Sequence, residues 1–499
     1  MNLETIIGLE IHIQSKTKSK MFCDCMNLSD NEEPNTHVCP VCLGHPGTLP
    51  VANKQAIYFG VMMALALDCK INKKSLWARK NYFYPDLAKG YQISQFEQPL
   101  SVDGHLTVTT SEGKERIGIT RLHLEEDAAK NFHTKDKTLV DFNRGGAPLM
   151  EIVTEPDFRT PQQARAFLHE LRLLARYLEV SDADMEKGHM RCDANISMRP
   201  VGDTKLYPKT EIKNLNSFRS VERALAYEVK RQTDLWEKET PVDYLSTRGW
   251  DEKELKTVEQ RDKEESADYR YFSEPDLLPL ILNEEEIKRI KAILPELPQE
   301  KVKRLKNEFG LKHHDAKLIS EDKEVAKYFE EVMSETRSWL ESLDDMDGSR
   351  EEIWEKNKEK LVKLVFGWLT SEVFKHIKEN NSNISEVKIT PENFAEFITL
   401  IYTRKVNSSA AQILLKEMYE TGGDPSNILD EKDLSQVGDT KKLNKVIEKI
   451  IKSNPNQVKE YKSGKEPLIK FFIGLAMKET KGKADPQILE ELFKEKLTE

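Results

Sequence analysis

The sequence changes character near residue 280, and this change limits the folds that the chain can adopt. Before about residue 290, short runs with β-strand patterning, such as residues 5–13, alternate with turns rich in Gly and Pro. After the turn at residues 274–279, charged helical patterns dominate to about residue 400, and an all-α tail follows. The sequence therefore predicts an α+β fold, with a mixed β-sheet and helices first and all-α segments after it.

The clearest helix signal begins at Thr160. Thr is a good N-cap, Pro161 suits the first turn, and Gln163 can complete a capping box. The following apolar residues recur at helical spacing and predict one face directed toward the core. They are Ala164, Phe167, Leu168, Leu171, Leu174, Ala175 and Leu178.

Composition excludes several classes of protein. A chain of 499 residues with 38% hydrophobic and 32% charged residues is typical of a globular enzyme of roughly three domains. Its net charge of −10 gives no global positive field for nucleic acid, so any RNA contact must be local. No apolar run is long enough to span a bilayer, and the first residues lack signal-peptide features. We expect a cytoplasmic protein without membrane segments.

Four of the six cysteines cluster in segment 23–42. Cys23 and Cys25 are followed, after thirteen residues, by Cys39 and Cys42. Two close pairs of thiols match a structural zinc site of tetrahedral geometry. The first pair is spaced more tightly than usual, so His37 or His45 could replace one ligand, and four reduced cysteines without metal remain the alternative. We interpret Cys69 and Cys192 as small buried apolar residues.

A second group of residues is acidic. Strand alternation places Glu10 and His12 on the same face, where both can reach one ion or substrate. A carboxylate in so apolar a strand is costly unless it is paired or bound to metal. A magnesium or acid-base role competes here with an exposed strand face. Further candidates are Glu125, Glu126, Asp127, Asp141, Glu151, Asp193 and Asn195.

Residues 79–92 interleave aromatic rings with Lys, Asn and Gln. Lys80, Tyr82, Lys89 and Tyr91 lie in this segment, which is typical of loops that stack bases or line polar passages, although a packing loop is the alternative. Residues 143–149 form a Gly-rich turn around Arg144, which suits close backbone approach to a phosphate. The sequence lacks both the P-loop and the Gly-x-Gly-x-x-Gly fingerprint, so any ATP site is of another type. No evident glutaminase nucleophile is present.

Several ordered motifs together resemble the GatB family, the B subunits of aspartyl/glutamyl-tRNA amidotransferases. They are residues 7–12, 39–44, 80–95, 123–127, 148–153, 211–218 and 268–272. The tail resembles the family's YqeY-like module at residues 464–465, 474–478 and 482–484. The resemblance runs nearly from end to end.

The resemblance implies a cradle-like kinase domain over residues 1–292, a helical domain over 293–394 and a tRNA-binding tail over 395–499. It implies that ATP phosphorylates the side-chain carboxylate of Glu-tRNA(Gln) or Asp-tRNA(Asn), and that ammonia then displaces the phosphate. It also implies a heterotrimer, in which an amidase (glutaminase) subunit supplies the ammonia and a small third subunit completes the complex. ATP and Mg²⁺ are the implied cofactors, with Zn²⁺ in a structural role.

Site residues follow from the matching positions. Glu10, His12 and Glu125 are similar to the family's magnesium and catalytic residues, and Lys80 and Lys89 to residues near the reacting end of the substrate. The implied ATP-site neighbours are Arg144, Glu151, Asp193 and Asn195, and Lys213 is a further candidate cation. A structural salt bridge is the alternative for Arg144 and Lys213.

For tRNA, we expect contacts from clustered lysines of the tail, with a solvated lysine face as the alternative. They are Lys441, Lys442, Lys445, Lys449, Lys452, Lys478, Lys481 and Lys483. Two rival functions stay open at the level of sequence: a non-catalytic, zinc-stabilised tRNA-binding scaffold, and a metal-dependent hydrolase that uses Glu10 and His12.

Overall fold

The fold was analysed in a computed structural model. The structure describes residues 2–27, 32–111, 113–260, 269–343, 348–434, 440–480, 484 and 486–498, without the side chains of residues 440–442 and 498. The chain divides into two compact units, Met1–Pro298 and Gln299–Glu499. Within the described ranges, no helix combines the length and apolar character that a bilayer crossing requires.

The first unit contains the β-structure. Its strands are β1 (Leu3–Gln14), β2 (Lys70–Ile71), β3 (Lys74–Ser75), β4 (Ala78–Asn81), β5 (Tyr91–Ser94), β6 (Ser101–Thr110), β7 (Gly113–Glu126), β8 (Lys130–His133), β9 (Thr138–Asp141), β10 (Pro148–Thr154), β11 (Met190–Pro200), β12 (Thr210–Leu215), β13 (Ser246–Asp251), β14 (Lys256–Glu259), β15 (Phe272–Ser273) and β16 (Leu280–Ile281). Its helices are α1 (Lys54–Ala66), α2 (Pro161–Tyr177), α3 (Phe218–Glu237) and α4 (Glu284–Ala292).

A nine-stranded sheet dominates this unit, in the order β14-β13-β12-β11-β1-β10-β7-β6-β2. The pair β12-β13 is parallel, and the other pairs of this sheet are antiparallel. Strands β15, β4 and β5 form a smaller sheet, while β16-β3 and β8-β9 form two-stranded pairs. The sheet is therefore mixed, as predicted.

The two faces of the large sheet have opposite chemistry. In β1, Ile7, Leu9, Ile11 and Ile13 are buried in the core of the unit. Helices α1, α2 and α3 contact strands of the sheet, and their apolar residues belong to the same core. Because strand side chains alternate, Glu10 and His12 point to the other face.

Helix α2 confirms the clearest sequence signal. The Thr160 side chain accepts a hydrogen bond from the backbone N–H of Gln163, and the Gln163 side chain completes the capping box. All seven residues of the predicted apolar stripe are buried. Local capping and spacing thus suffice to specify this element.

The second unit is helical. Its α-helices are α5 (Pro298–Phe309), α6 (His313–Ser320), α7 (Lys323–Glu341), α8 (Arg350–Trp368), α9 (Phe374–Glu379), α10 (Pro391–Tyr402), α11 (Ser408–Thr421), α12 (Pro425–Glu431), α13 (Thr440–Ser453), α14 (Pro455–Lys462), α15 (Ile469–Glu479) and α16 (Pro486–Thr498). One apolar cluster runs from Leu305 to Leu429, and another from Leu443 to Leu497. The α+β fold with a helical C-terminal region is confirmed, whereas the boundaries at residues 292 and 394 stay predictions.

The described part of the acidic segment 334–360 is mostly helical and has few buried residues. They are Thr336, Leu340, Ile353 and Trp354. Leu340, Ile353 and Trp354 belong to the first apolar cluster of the second unit. Few apolar residues, correctly spaced, are thus enough to anchor a charged helix whose other faces are polar.

Candidate active site

Strand pairing gathers the polar residues of the first unit on one face of the large sheet. His12 of β1 lies opposite Glu151 of β10 and Arg191 of β11. Glu10 lies opposite Asp193, and Glu151 also lies opposite His123 of β7. Directly paired residues point to the same side of a sheet, so these side chains share one surface.

This surface forms a cleft of about 500 Å³. Its lining residues are Glu10, His12, Lys80, Tyr82, Gln92, Gln95, Phe96, Arg121, His123, Glu125, Asp127, Ala128, Leu149, Glu151, Arg191, Asp193, Glu211, Lys213, Tyr269 and Tyr271. Strands from distant positions along the chain thus contribute to a single site.

Two histidines lie among three carboxylates at the base of the cleft. The Nε2 atom of His12 lies 3.4 Å from a Glu151 oxygen, 3.5 Å from a Glu125 oxygen and 3.9 Å from a Glu10 oxygen. The Nε2 atom of His123 lies 3.3 Å from Glu151 and 3.7 Å from Glu125. His123, Glu125 and Glu151 are buried, whereas the side chain of Glu10 is 36% exposed, so only part of the cluster is shielded from bulk solvent.

Burial and mutual charge shift the titration of this cluster. Burial raises the pKa of Glu10, and the nearby Glu151 carboxylate adds to the increase. Burial alone would lower the pKa of His123, but Glu151 and Glu125 raise it to about 9. Burial also acts to raise the pKa of Glu151, yet His123 and His12 hold it well below its usual value. Each imidazole therefore stabilises an ionised carboxylate.

The donor set fits a divalent cation. One ligand atom from each of Glu10, His12 and Glu151 lies within 4.8 Å of the others, and the same holds for His123, Glu125 and Glu151. The carboxylate oxygens suit Mg²⁺ or a similar hard ion, whereas an imidazole nitrogen is the more usual ligand of transition metals. Within the described residues, no hydrogen-bond acceptor faces the buried Nδ1 atom of His123. The two groups share Glu151, so a cation held by either group would lie next to this carboxylate.

Cationic side chains occupy the walls of the cleft. Arg191 donates two hydrogen bonds to Asp127, at 2.8 and 2.9 Å. Lys213 lies 2.6 Å from Asp193 and 3.1 Å from Glu211. Burial acts to lower the pKa of Lys80, but Glu125, Glu151 and the neighbouring tyrosines together outweigh burial and raise it. Lys80 is therefore a permanent cation in the cleft.

Most of the predicted site residues meet here, but Lys89 does not. Its Nζ atom pairs with Glu126, the sequence neighbour of Glu125. With Cys42 it lines a small separate cavity of about 90 Å³. Lys80 lies in β4, whereas Lys89 lies in the loop between β4 and β5, and the two side chains line different cavities.

Arg144 and Asn195 are also not among the residues that line the cleft. The Arg144 guanidinium donates to the carbonyl oxygens of Ala128 and Ala129 and lies 3.6 Å from Asp127. Asn195 is on the polar face, opposite Gly8, two residues along β11 from Asp193. In the described structure neither side chain lines the cleft.

Sequence reasoning missed several residues of the cleft. His123 and Arg121 precede Glu125 at alternate positions on β7, so strand periodicity offered a signal for both. Arg191 was also missed, and it shares a face with Asp193 on β11. Glu211, Tyr269 and Tyr271 also line the cleft, and only the tertiary structure shows that they do.

The four clustered cysteines meet as predicted. Sulfur atoms of Cys23, Cys25, Cys39 and Cys42 lie within 4.8 Å of one another, an arrangement that could hold a metal ion. A hydrogen bond from Cys23 lowers the pKa of Cys42 to about 4, so a thiolate is readily available as a ligand. His37 and His45 are not in this group of ligand atoms in the described residues. Cys69 and Cys192 are buried, as expected.

Only part of the predicted tRNA-binding set can be located. Lys445, Lys449, Lys452 and Lys478 are exposed, and Lys449 forms an ion pair with Glu479 at 2.6 Å. Lys481 and Lys483, and the side chains of Lys441 and Lys442, lie outside the described residues.

The sequence was compared with protein families and with curated proteins. A family model described as the GatB/GatE catalytic domain matches residues 5–288, and one described as the GatB domain matches residues 351–497. The chain is 45% identical over 496 residues to the B subunit of the aspartyl/glutamyl-tRNA(Asn/Gln) amidotransferase of Brevibacillus brevis, covering 99% of this chain and 98% of that protein. It is 44% identical over 503 residues to the protein of the same name from Thermotoga maritima, covering 100% and 99%. The chain therefore belongs to the GatB family.

Proposed function

We propose that this protein is the B subunit of a tRNA-dependent amidotransferase and that its cleft activates the side-chain carboxylate of Glu-tRNA(Gln), Asp-tRNA(Asn) or both. The observation that carries the proposal is the gathering of His12, Glu125 and Glu151 with the cation of Lys80 in one cleft of a GatB-family chain. Ionised carboxylates are poor electrophiles, so activation must precede amide formation.

The proposed reaction has two balanced steps. A carboxylate oxygen of the aminoacyl group attacks the γ-phosphorus of ATP, and ADP leaves to give an acyl phosphate. Ammonia then attacks the acyl carbon, inorganic phosphate leaves, and the amide of Gln-tRNA(Gln) or Asn-tRNA(Asn) forms. The chain has no evident glutaminase site of its own, so the ammonia comes from an amidase (glutaminase) subunit, with a small third subunit completing a heterotrimer.

Glu10, His12, Glu125 and Glu151 would hold Mg²⁺. When bound, this ion neutralises charge on the triphosphate and on the transferring phosphoryl group. The protein's own cations act beside it, because Lys80, Arg191 and Lys213 place positive charge on the cleft walls. Ion pairs with Asp127 and with Asp193 hold Arg191 and Lys213 in position before the substrate arrives.

Other predicted residues take supporting roles in this proposal. Asp193 holds Lys213, and Arg144 holds Asp127, the partner of Arg191. Lys89 orients Glu126 rather than touching the substrate. Asn195 is proposed to contact ATP at the end of the polar face. The four cysteines would hold a structural Zn²⁺, and a role in translation implies that the protein works in the cytoplasm.

Substitution of Glu125 in the assembled complex tests the proposal. Glu125→Gln preserves shape but removes a buried charge next to His12, and we expect amidation and tRNA-dependent ADP formation to fall at least about 100-fold. Glutamine hydrolysis by the amidase partner should persist. Glu115→Gln is the matched control, because Glu115 is exposed on the same strand.

The alternative is that the chain is a zinc-stabilised scaffold that only binds tRNA. In that case Glu125→Gln would leave amidation at the wild-type rate. A hydrolase would instead act without ATP and without tRNA, and this activity would contradict the proposal.

A further inference from the structure

One wall of the cleft is built from aromatic rings. Tyr82, Phe96, Tyr269 and Tyr271 all line it. The rings of Phe96 and Tyr271 stack almost in parallel, with centroids 4.1 Å apart and an interplanar angle of 5°. Phe96 is nevertheless 51% exposed. Because Tyr271 covers one face of the Phe96 ring, the exposed part is its outer face and edge.

The tyrosines behind Phe96 are held in place by strand β4. The backbone N–H of Asn81 donates to the carbonyl of Tyr269 at 2.9 Å, and its side-chain amide donates to the carbonyl of Arg270 at 2.8 Å. Tyr269 meets both Tyr82 and Tyr271 edge-on, with centroids 5.9 and 6.1 Å apart. The three tyrosine rings pack on one another, and Phe96 is the ring of this group that keeps an exposed outer face.

Charge surrounds this wall. The Nζ atom of Lys80 lies 4.8 Å from the centroid of the Tyr269 ring. Arg121, Arg191 and Lys213 line the same cleft. A half-exposed phenylalanine among ionic groups suits a ligand that is planar and aromatic at one end and anionic at the other. A nucleobase attached to phosphate has this combination.

We propose that Phe96, backed by Tyr271, is a platform on which an adenine base stacks in the cleft. The inference rests on the proposed function, because both of its substrates carry adenine: ATP, and tRNA through its 3′-terminal adenosine. The shared chemistry is the π-face of the base, and kinetics with each substrate separate the two sources.

Phe96→Ala in the assembled complex tests the platform. The KM for ATP and the KM for aminoacylated tRNA are measured separately, each with the other substrate saturating. Loss of one base-stacking ring weakens binding by roughly 5- to 100-fold, so we expect one KM to rise by that factor while kcat changes by less than about threefold. A rise in the KM for ATP identifies ATP as the source of the base, and a rise in the KM for tRNA identifies the terminal adenosine.

Conservative variants separate stacking from apolar packing. Phe96→Tyr keeps the π-face and should restore the KM, whereas Phe96→Leu keeps apolar bulk alone and should not. Phe132→Ala is the matched control, because Phe132 is 45% exposed and does not line the cleft. Phe96→Trp adds a direct readout: ATP, or an RNA minihelix ending in CCA, should quench the fluorescence of the added ring.

Three outcomes would overturn the platform. Both KM values could stay at wild type in Phe96→Ala, or Phe96→Leu could behave as Phe96→Tyr does. The variant could also fail to assemble with its partners, which would make Phe96 an assembly contact. Each of these leaves the Glu125→Gln result unchanged, so failure of the platform is distinguishable from failure of the proposed function.

Discussion

At the scale of single residues, the least expected feature is a lysine in the core beside the cysteine cluster. Lys20 is 1% exposed. Its Nζ atom lies 3.8 Å from the sulfur of Cys42 and donates to the carbonyl of Phe142 at 3.1 Å. A buried ammonium is costly unless it is compensated, and a zinc ion held by four thiolates carries excess negative charge. Lys20 has the charge and the position to balance it.

Lys20→Met keeps much of the side-chain volume and removes the charge. We expect the purified variant to release zinc to a chelator about 10- to 100-fold faster than wild type, as substitutions next to metal ligands commonly do. Chromogenic detection of released zinc gives the rate, and total metal analysis gives the starting content. Lys18→Met is the control, because Lys18 is exposed. Equal release rates in wild type and Lys20→Met would contradict this role.

The same region shows a packing role for a glycine. The Gly-rich turn at residues 143–149 is predicted to approach a phosphate, and it also lies close to the cysteine segment. A Cβ at Gly146 would lie 3.3 Å from Lys20 and 3.7 Å from Cys42. Gly146 also has a φ of +90°, which disfavours a side chain. Because Gly146 has no side chain, the turn can lie close to Lys20 and Cys42.

At the scale of elements, the N-terminus of α2 allows a test of how much its side-chain cap stabilises the protein. Thr160→Ala removes the hydroxyl that accepts from Gln163 N–H, and we expect a loss of about 1 kcal/mol in the free energy of unfolding. Thermal unfolding of the purified protein measures the change, with Thr160→Ser as the control that keeps the hydroxyl. An unchanged melting temperature in Thr160→Ala would show that tertiary contacts alone hold this end of the helix.

Elements with strong local signals were predictable. Alternation placed Glu10 and His12 on one face of β1, and capping with apolar spacing defined α2. Both signals lie within one element, where backbone geometry alone decides which side chains point together.

Contacts between distant strands were not predictable. Arg191 and Asp127 form a bidentate ion pair although 64 residues separate them. They meet across β1 and β10, which lie between β11 and β7 in the sheet, and the sequence of one chain does not reveal that strand order. For the same reason Lys89 was grouped with Lys80, although it pairs with Glu126 in a different cavity.

At the scale of the whole molecule, the chain combines an acidic net charge with a proposed RNA substrate. Any attraction to tRNA must therefore come from local basic surfaces. Lys445 and Lys452 are exposed on α13, whose Leu443, Ile447 and Ile450 are buried. The helix thus presents charge on one side and packs with the other.

Reversing Lys445 and Lys452 to Glu should weaken tRNA binding by the assembled complex. If each lysine contacts a phosphate, the slope of log affinity against log salt should become shallower by roughly 0.7 to 0.9 per residue. Affinity titrations across a range of salt concentrations measure both effects. Reversal of Lys230 and Lys238, exposed near the end of α3, is the control. An unchanged slope would show that the lysines are a solvated face.

The central claim is that this protein activates a carboxylate by phosphorylation, and isotope transfer tests it most directly. Glu-tRNA(Gln) with both side-chain carboxylate oxygens replaced by ¹⁸O is amidated by the assembled complex with ATP and glutamine. Mass spectrometry then measures the isotope in the phosphate that is released. An acyl phosphate requires one ¹⁸O in each phosphate and one in the amide, and Glu125→Gln should stop the transfer. Amidation that releases unlabelled phosphate would contradict the account.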